Sequence, residues 1–406
     1  MMINVQNVKC SIYVILYIAY GFFSVVHPGT TVSKVLLLLF MLFSGYYMLK
    51  SLRLIRGCHS SYIKWLLGLI ILFTIYGLVY YISPNSYTIT EGVMYKEVPK
   101  IEYLKNIYLS FLPIFSFYYF GSQGLTNEPW IRKISLLLLA FAVFQYTYSY
   151  QFFVINDEYG RTEMTNNYGY SFVALFPLIC FWKKKPLIQL IYMTIVLIYI
   201  VMSMKRGAIL IGVICSLYFL ISILRNSKKL ERVIIVVGLG VLLYIGLPIL
   251  SNFIANSERF QQRILQTVEG DSSNRDILYS RALNHIFNET NLFEFLFGTG
   301  ADSSIQVISN YAHNDWLEIG INQGFVGVIF YILYFISFFK LWQNKKKNIG
   351  HLNSVIGLCF IICFISTFFS MSYSAIDISI SLSIGFMLSV TQKHNTHHDS
   401  SLQIMK

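Results

Sequence analysis

Tyr311-Ala-His-Asn-Asp-Trp-Leu-Glu-Ile-Gly-Ile-Asn-Gln-Gly-Phe-Val-Gly327 lies where the longest polar segment of the chain meets a long apolar run. Its first half carries His313, Asn314, Asp315 and Glu318; its second half is apolar and punctuated by Gly320, Gly324 and Gly327. At about 100° per residue, a continuous helix brings the three glycines within roughly 40° of His313. The stretch therefore predicts one helix face with a histidine at its water end and a bare backbone groove below. Glu318 falls roughly 140° away on the same wheel and is not paired with His313. Asn314 and Asp315 are expected to cap the helix start, with Asp315 read as a cap rather than as a partner of the histidine.

The rest of the chain gives that junction a setting. Of 406 residues, 55% are hydrophobic and only 12% charged, against about 25% charged in a soluble domain. Apolar runs of about 18 residues or more recur along the whole length, which predicts an all-α polytopic membrane protein. Twelve spans are expected, at about 10–27, 32–49, 62–83, 104–121, 134–154, 168–182, 186–204, 206–224, 231–250, 317–341, 352–369 and 373–390. Residues 1–406 then form a single membrane domain. A large extracytoplasmic loop with short helices fills 251–316, between spans 9 and 10, and a disordered cytoplasmic tail follows from 391 to 406.

The formal net charge is +12, yet its distribution excludes a nucleic-acid reading. About twenty of the 31 basic residues fall on one side, sixteen of them in alternate short loops: Lys50 to Lys64, Arg132-Lys133, Lys183 to Lys185, Arg225 to Arg232 and Lys345 to Lys347. By the positive-inside rule this predicts cytoplasmic termini. The six cysteines fall in or beside apolar runs or in a cytoplasmic loop, so no structural disulfide is expected, and Cys359 and Cys363 read as packing residues.

Three features on the outer side carry chemistry. Lys205 and Arg206 lie in a very short turn, Ser203-Met-Lys-Arg-Gly207, on the side where basic residues are avoided. An anion site explains them: Arg206 holds a phosphate with its planar fork, and Gly207 admits a close backbone. In Asp271-Ser-Ser-Asn-Arg-Asp-Ile-Leu-Tyr-Ser-Arg281, Arg275 stands beside a helix-start signal, a favourable phosphate-binding arrangement. Arg259 and Arg263 read as solvated surface charges, and Phe297-Gly-Thr-Gly300 as a turn. Histidine is the side chain whose ordinary pKa lies near neutrality, so His313 suits a general base.

At these residues the chain resembles the O-antigen polymerase and O-antigen ligase superfamily. The resemblance rests on His313-Asn314 followed by Gly324 and Gly327, on Ser203-x-x-Arg206-Gly207, on Arg275 ahead of a helix, on Gly298-x-Gly300 and on the twelve-span topology. Lys205 departs from the small or polar residue common there. The resemblance implies a metal-independent glycosyl transfer at the outer face of the bacterial cytoplasmic membrane, with no cofactor and no nucleotide sugar. The donor is an oligosaccharide on undecaprenyl pyrophosphate. His313 is implied as the base, Arg206 and Arg275 as holders of the leaving pyrophosphate, and Asn314, Gly324, Gly327, Arg281 and Lys205 as substrate-binding residues. Membrane lipid and a chain-length regulator are the partners it leaves room for. Polymerase is the leading expectation and ligase the alternative within the enzyme class. A flippase of lipid-linked oligosaccharides is the alternative outside it; such a carrier needs charges near the bilayer midplane, and Asp377 is the only acid well inside a late span.

Overall fold

The computed structural model describes residues 7–55, 61–84, 86–91, 94–156, 165–183, 185–268, 275–343, 352–369 and 372–404. Arg56, Asp157, Glu158, Arg161, Glu163, Lys184, Asp271 to Asn274 and Lys345 to Lys347 lie outside them, as do the side chains of Arg259 and Arg263.

The elements follow in chain order as α1 (Val8–Val26), α2 (Thr31–Ile55), α3 (Ser61–Ile82), β1 (Thr88–Glu91), β2 (Met94–Glu97), α4 (Ile101–Ser122) and α5 (Glu128–Asn156). Then come α6 (Gly169–Ala174), α7 (Phe176–Ile179), α8 (Pro186–Met202), α9 (Arg206–Asn226) and α10 (Lys229–Asn256). The large loop supplies α11 (Glu258–Val268), α12 (Arg275–Asn284), α13 (Leu292–Phe297) and α14 (Ser304–Ile308). The chain closes with α15 (Asp315–Gln343), α16 (Leu352–Ser366) and α17 (Ile378–Ile404). Among the described residues, seven helices, α1, α2, α3, α5, α9, α10 and α15, are long and apolar enough to cross a bilayer, so the chain is a helical membrane protein. Their outer residues are apolar and exposed because lipid is their solvent: Leu38, Leu42, Ile71, Ile75, Val233 and Val237 all face outward.

α4 is the hub. It packs against α2, α3 and α17. Small residues let α17 come close: a Cβ on Gly385 meets Ile114 O at 2.6 Å and Tyr118 N at 2.8 Å. Such backbone proximity is how membrane helices gain packing that apolar lipid cannot supply.

Two expectations change. The bundle is all-α, but 84–103 adds an antiparallel hairpin in which Thr88 pairs with Glu97 and Glu91 with Met94. Thr88-Ile-Thr alternates β-branched residues, a pattern that favours strand over helix. The expected disordered tail instead continues α17 past Thr391 to Ile404, a segment with no Gly or Pro to stop it.

Several apolar helices are short. α16 has fifteen residues, a rise of about 22 Å against a hydrocarbon core of roughly 30 Å. Gly169–Trp182 and the apolar part of α17, Ile378–Gln392, are similarly short. Pro177 breaks the first of these into α6, α7 and a final 3-10 turn, because proline removes an N–H from the ladder.

Candidate active site

The quoted stretch is not one continuous helix. Gly324 sits inside α15 with φ 66° and ψ −164°, a conformation that only glycine adopts without strain. The break leaves two carbonyls without their usual partners, and the Phe297-Gly-Thr-Gly300 segment takes them. Thr299 N donates to Ile321 O at 2.9 Å and Gly300 N donates to Asn322 O at 3.0 Å. Gly298 (φ 74°) and Gly324 lie where the two backbones touch: a Cβ on Gly324 strikes Gly298 N, and a Cβ on Gly298 strikes the backbone of Asn322 and Gln323. The Gly-x-Gly is therefore more than a turn: it pairs with a broken helix. His313 also stands outside the helix, with φ 51°. The predicted face of one histidine and three glycines does not form, because it assumed helical geometry at both ends. Neither Gly324 nor Gly327 lines the cavity described below; the groove at Gly324 admits the α13 end.

The cap is Asn314 alone in function. Its Oδ1 accepts from Trp316 N at 3.0 Å and Leu317 N at 3.2 Å. Asp315 turns inward instead: it is fully buried and its Oδ2 accepts from Tyr331 Oη at 2.6 Å and Tyr373 N at 3.1 Å. Glu318, unpaired in the sequence reading, is equally buried and accepts from the amide N of Ala312, the residue before His313, at 2.9 Å.

His313 lines a cavity of about 610 Å³, within the usual range for small-molecule sites. The wall is rich in groups that bind sugars: Tyr168, Tyr170, Tyr311, Tyr331, Tyr373 and Asn106. Residues of the short helices complete it: Val173 and Ala174 of α6, Ile362 and Ser366 of α16, and Ile380 of α17. Asp377, expected inside a span, lines this cavity and caps α17, accepting from Ser379 N at 2.8 Å.

The arginines approach from the side. Arg206 opens α9 directly after Lys205, the residue at its N-cap, and after Met204 in a left-handed conformation (φ 54°). Gly207 is crowded by Tyr170 Oη and by Phe369, whose Cβ would lie 2.9 Å from a Cβ at that glycine. Arg275 opens α12 and acts electrostatically on Tyr170. Arg281, in the last turn of α12, is exposed.

A turn that sequence reasoning missed, Thr367-Phe-Phe369, draws these parts together. Thr367 O accepts from Asp315 N at 2.8 Å, and Thr367 Oγ1 accepts from Trp316 Nε1 at 2.9 Å. Phe368 O accepts from Tyr279 Oη of α12 at 3.5 Å, and Phe369 touches Gly207 of α9. The His313 loop, the Arg206 turn and the Arg275 helix thus meet at one end of the bundle. The three residues carry no charge and no glycine, so nothing in them signals the role.

Behind the His313 loop, Asp302 is buried at a left-handed turn (φ 58°). Burial pushes its carboxyl up to about 7, helped by Glu318 and Glu102.

A family model described as O-antigen ligase matches residues 191–332, a span that holds Arg206, Arg275, His313 and Gly324. A search of curated proteins returned no match. The family match agrees with the resemblance of the motifs to the O-antigen polymerase and ligase superfamily.

Proposed function

We propose that this protein is a surface-polysaccharide polymerase. It moves a glycan from undecaprenyl pyrophosphate onto a lipid-linked repeat unit at the outer face of the bacterial cytoplasmic membrane. The observation that carries this reading is the meeting of His313, the Arg206 turn and the Arg275 helix beside one tyrosine-lined cavity recessed into the bundle. In the reaction, an acceptor hydroxyl oxygen bonds to C1 of the donor sugar as the C1–O bond to pyrophosphate breaks. His313 takes the hydroxyl proton as general base. Arg206 and Arg275 neutralise the charge that develops on the departing pyrophosphate, and no metal is required of them. Lys205 and Arg281 add positive charge at the rim. Asn314 serves the site through its cap, and Gly324 and Gly327 through helix packing. Twelve crossings, with both termini cytoplasmic, fit this reading: the seven long helices, α4, and the four short apolar segments.

A second reading, prompted by the family description O-antigen ligase, is ligation of the finished glycan to lipid A-core. A deletion strain separates them. Loss of long-chain glycan with a single repeat left on core supports the polymerase; loss of every attached unit supports the ligase. For either, purified protein with lipid-linked substrate tests the base: His313→Ala is expected to abolish transfer, and retained turnover would sink the assignment.

A further inference from the structure

Glu318 is fully buried in α15, and burying a carboxylate is costly unless its oxygens are satisfied. Here they are, by donors from three segments. Oε1 accepts from the Ser304 hydroxyl at the start of α14 and from Asn322 Nδ2 at 3.2 Å. Oε2 accepts from Ala312 N at 2.9 Å. Asn322 is held in turn, since its Oδ1 accepts from Ser303 Oγ and Ser304 N, both at 3.0 Å. Asn322 O also receives the Gly300 N–H at the break in α15. One chain of hydrogen bonds therefore joins the broken helix, α14 and the amide of Ala312, the residue before His313.

His313 needs such a hold. Its φ of 51° is a left-handed conformation that costs a non-glycine residue free energy and persists only where surroundings impose it. The Ala312 amide lies one residue ahead of that turn, and Glu318 grips it. We propose that Glu318 is the positioning residue for His313: its carboxylate fixes the Tyr311–Ala312 peptide at the entry to the His313 turn and thereby sets the imidazole against the cavity. The proposal rests on the reading of His313 as the general base. A capping carboxylate alone needs no reach beyond its own helix; Glu318 reaches back six residues to a loop and forward four to Asn322.

The polarity of the network makes the test specific. In Glu318→Gln the amide has one acceptor oxygen. If that oxygen keeps Ala312 N, the new NH₂ faces the Asn322 NH₂, donor against donor. Glu318→Gln with Asn322→Asp restores the pattern: the new NH₂ then donates to a carboxylate that still accepts from Ser303 and Ser304. Two readouts apply to the full-length protein in detergent: steady-state transfer with lipid-linked glycan, and amide hydrogen exchange across residues 310–316. Glu318→Gln is expected to lower kcat by roughly 10- to 100-fold with KM within about twofold, as loss of base positioning demands. Exchange at Ala312 and His313 is expected to accelerate, and the double variant to recover both. Ser304→Ala, which removes one donor and keeps the charge, is expected to move both readouts the same way by a smaller factor, whether or not Glu318→Gln accumulates. Wild-type kcat and exchange in the single variants, or a change confined to KM, would overturn the proposal. If the wild-type protein transfers no glycan, the reading of the function fails, and the exchange data alone then decide whether Glu318 holds the His313 turn.

Discussion

Gly324→Ala separates the broken helix from the continuous one by sign. Were residues 315–343 an unbroken helix, alanine would be the better helix former by about 1 kcal/mol, and the variant would be more stable. In the structure the opposite holds. Alanine at φ 66° and ψ −164° costs roughly 1–3 kcal/mol in backbone strain. Its Cβ would also strike Gly298 N and lie 2.7 Å from the carbonyl of Leu296, and these backbone atoms have no rotamer with which to yield. Moving the Gly298 segment away breaks the bonds from Thr299 N to Ile321 O and from Gly300 N to Asn322 O, each worth about 1 kcal/mol net and more where the carbonyl is left without a partner. The sum is about 3–5 kcal/mol, a large part of the roughly 5–15 kcal/mol that holds a typical protein folded. Gly327→Ala is the control. Gly327 keeps helical geometry, and the Cβ would meet side chains of its own helix, Gln323 and Ile319, so a smaller loss is expected. Thermal melts of purified protein in detergent read the comparison. A Gly324→Ala protein that melts at or above the wild-type temperature would refute the broken helix and its pairing with Gly298.

Other expectations follow from single residues. Asn314 caps α15 through Oδ1, so Asn314→Asp and Asn314→Ser should keep activity while Asn314→Ala loses about 1 kcal/mol; loss of transfer in all three would instead mark a substrate contact. Asp302, with its carboxyl raised to about 7, holds a proton in the folded state that the unfolded chain releases above about pH 4. Its contribution therefore favours the fold at low pH and is lost as pH rises toward 7, by on the order of 4 kcal/mol at most. Asp302→Asn should flatten the fall in melting temperature between pH 5 and 7.5, and an unchanged pH profile would count against the raised carboxyl. Asp377→Asn keeps a residue able to cap α17 while removing a charge from the cavity; a stable protein with a raised KM for the acceptor is expected, and unaltered kinetics would place Asp377 in the cap alone.

The membrane-spanning helices and the polar ends that face one another were legible in the sequence. Hydrophobic length is a local property, and Arg206, Arg275 and His313 stood out as charged or titratable groups where apolar or neutral residues would serve as well. Asn314 as a helix cap was equally legible, since a cap needs only its own next three residues. Asp315 was misread as a second cap because nothing local reveals Tyr331 and Tyr373 beside it. Glu318 was set aside on a helical wheel, and the wheel failed because His313 is not on the helix. The Thr367–Phe369 turn carried no signal at all: it acts through two backbone carbonyls, a hydroxyl and a ring, which any sequence of that kind possesses.

The sequence by itself determined that this chain lives in a membrane, where its polar ends fall, and which basic and titratable residues need a reason to be there. Those facts depend on composition over a turn or a span. Only the tertiary structure decided that α15 breaks at Gly324, that the Gly298 loop takes up the freed carbonyls, and that Glu318 grips the Ala312 amide beside His313. Each of these depends on a partner brought close by folding, and a residue's own neighbours in sequence do not specify which backbone or side chain will meet it across the bundle.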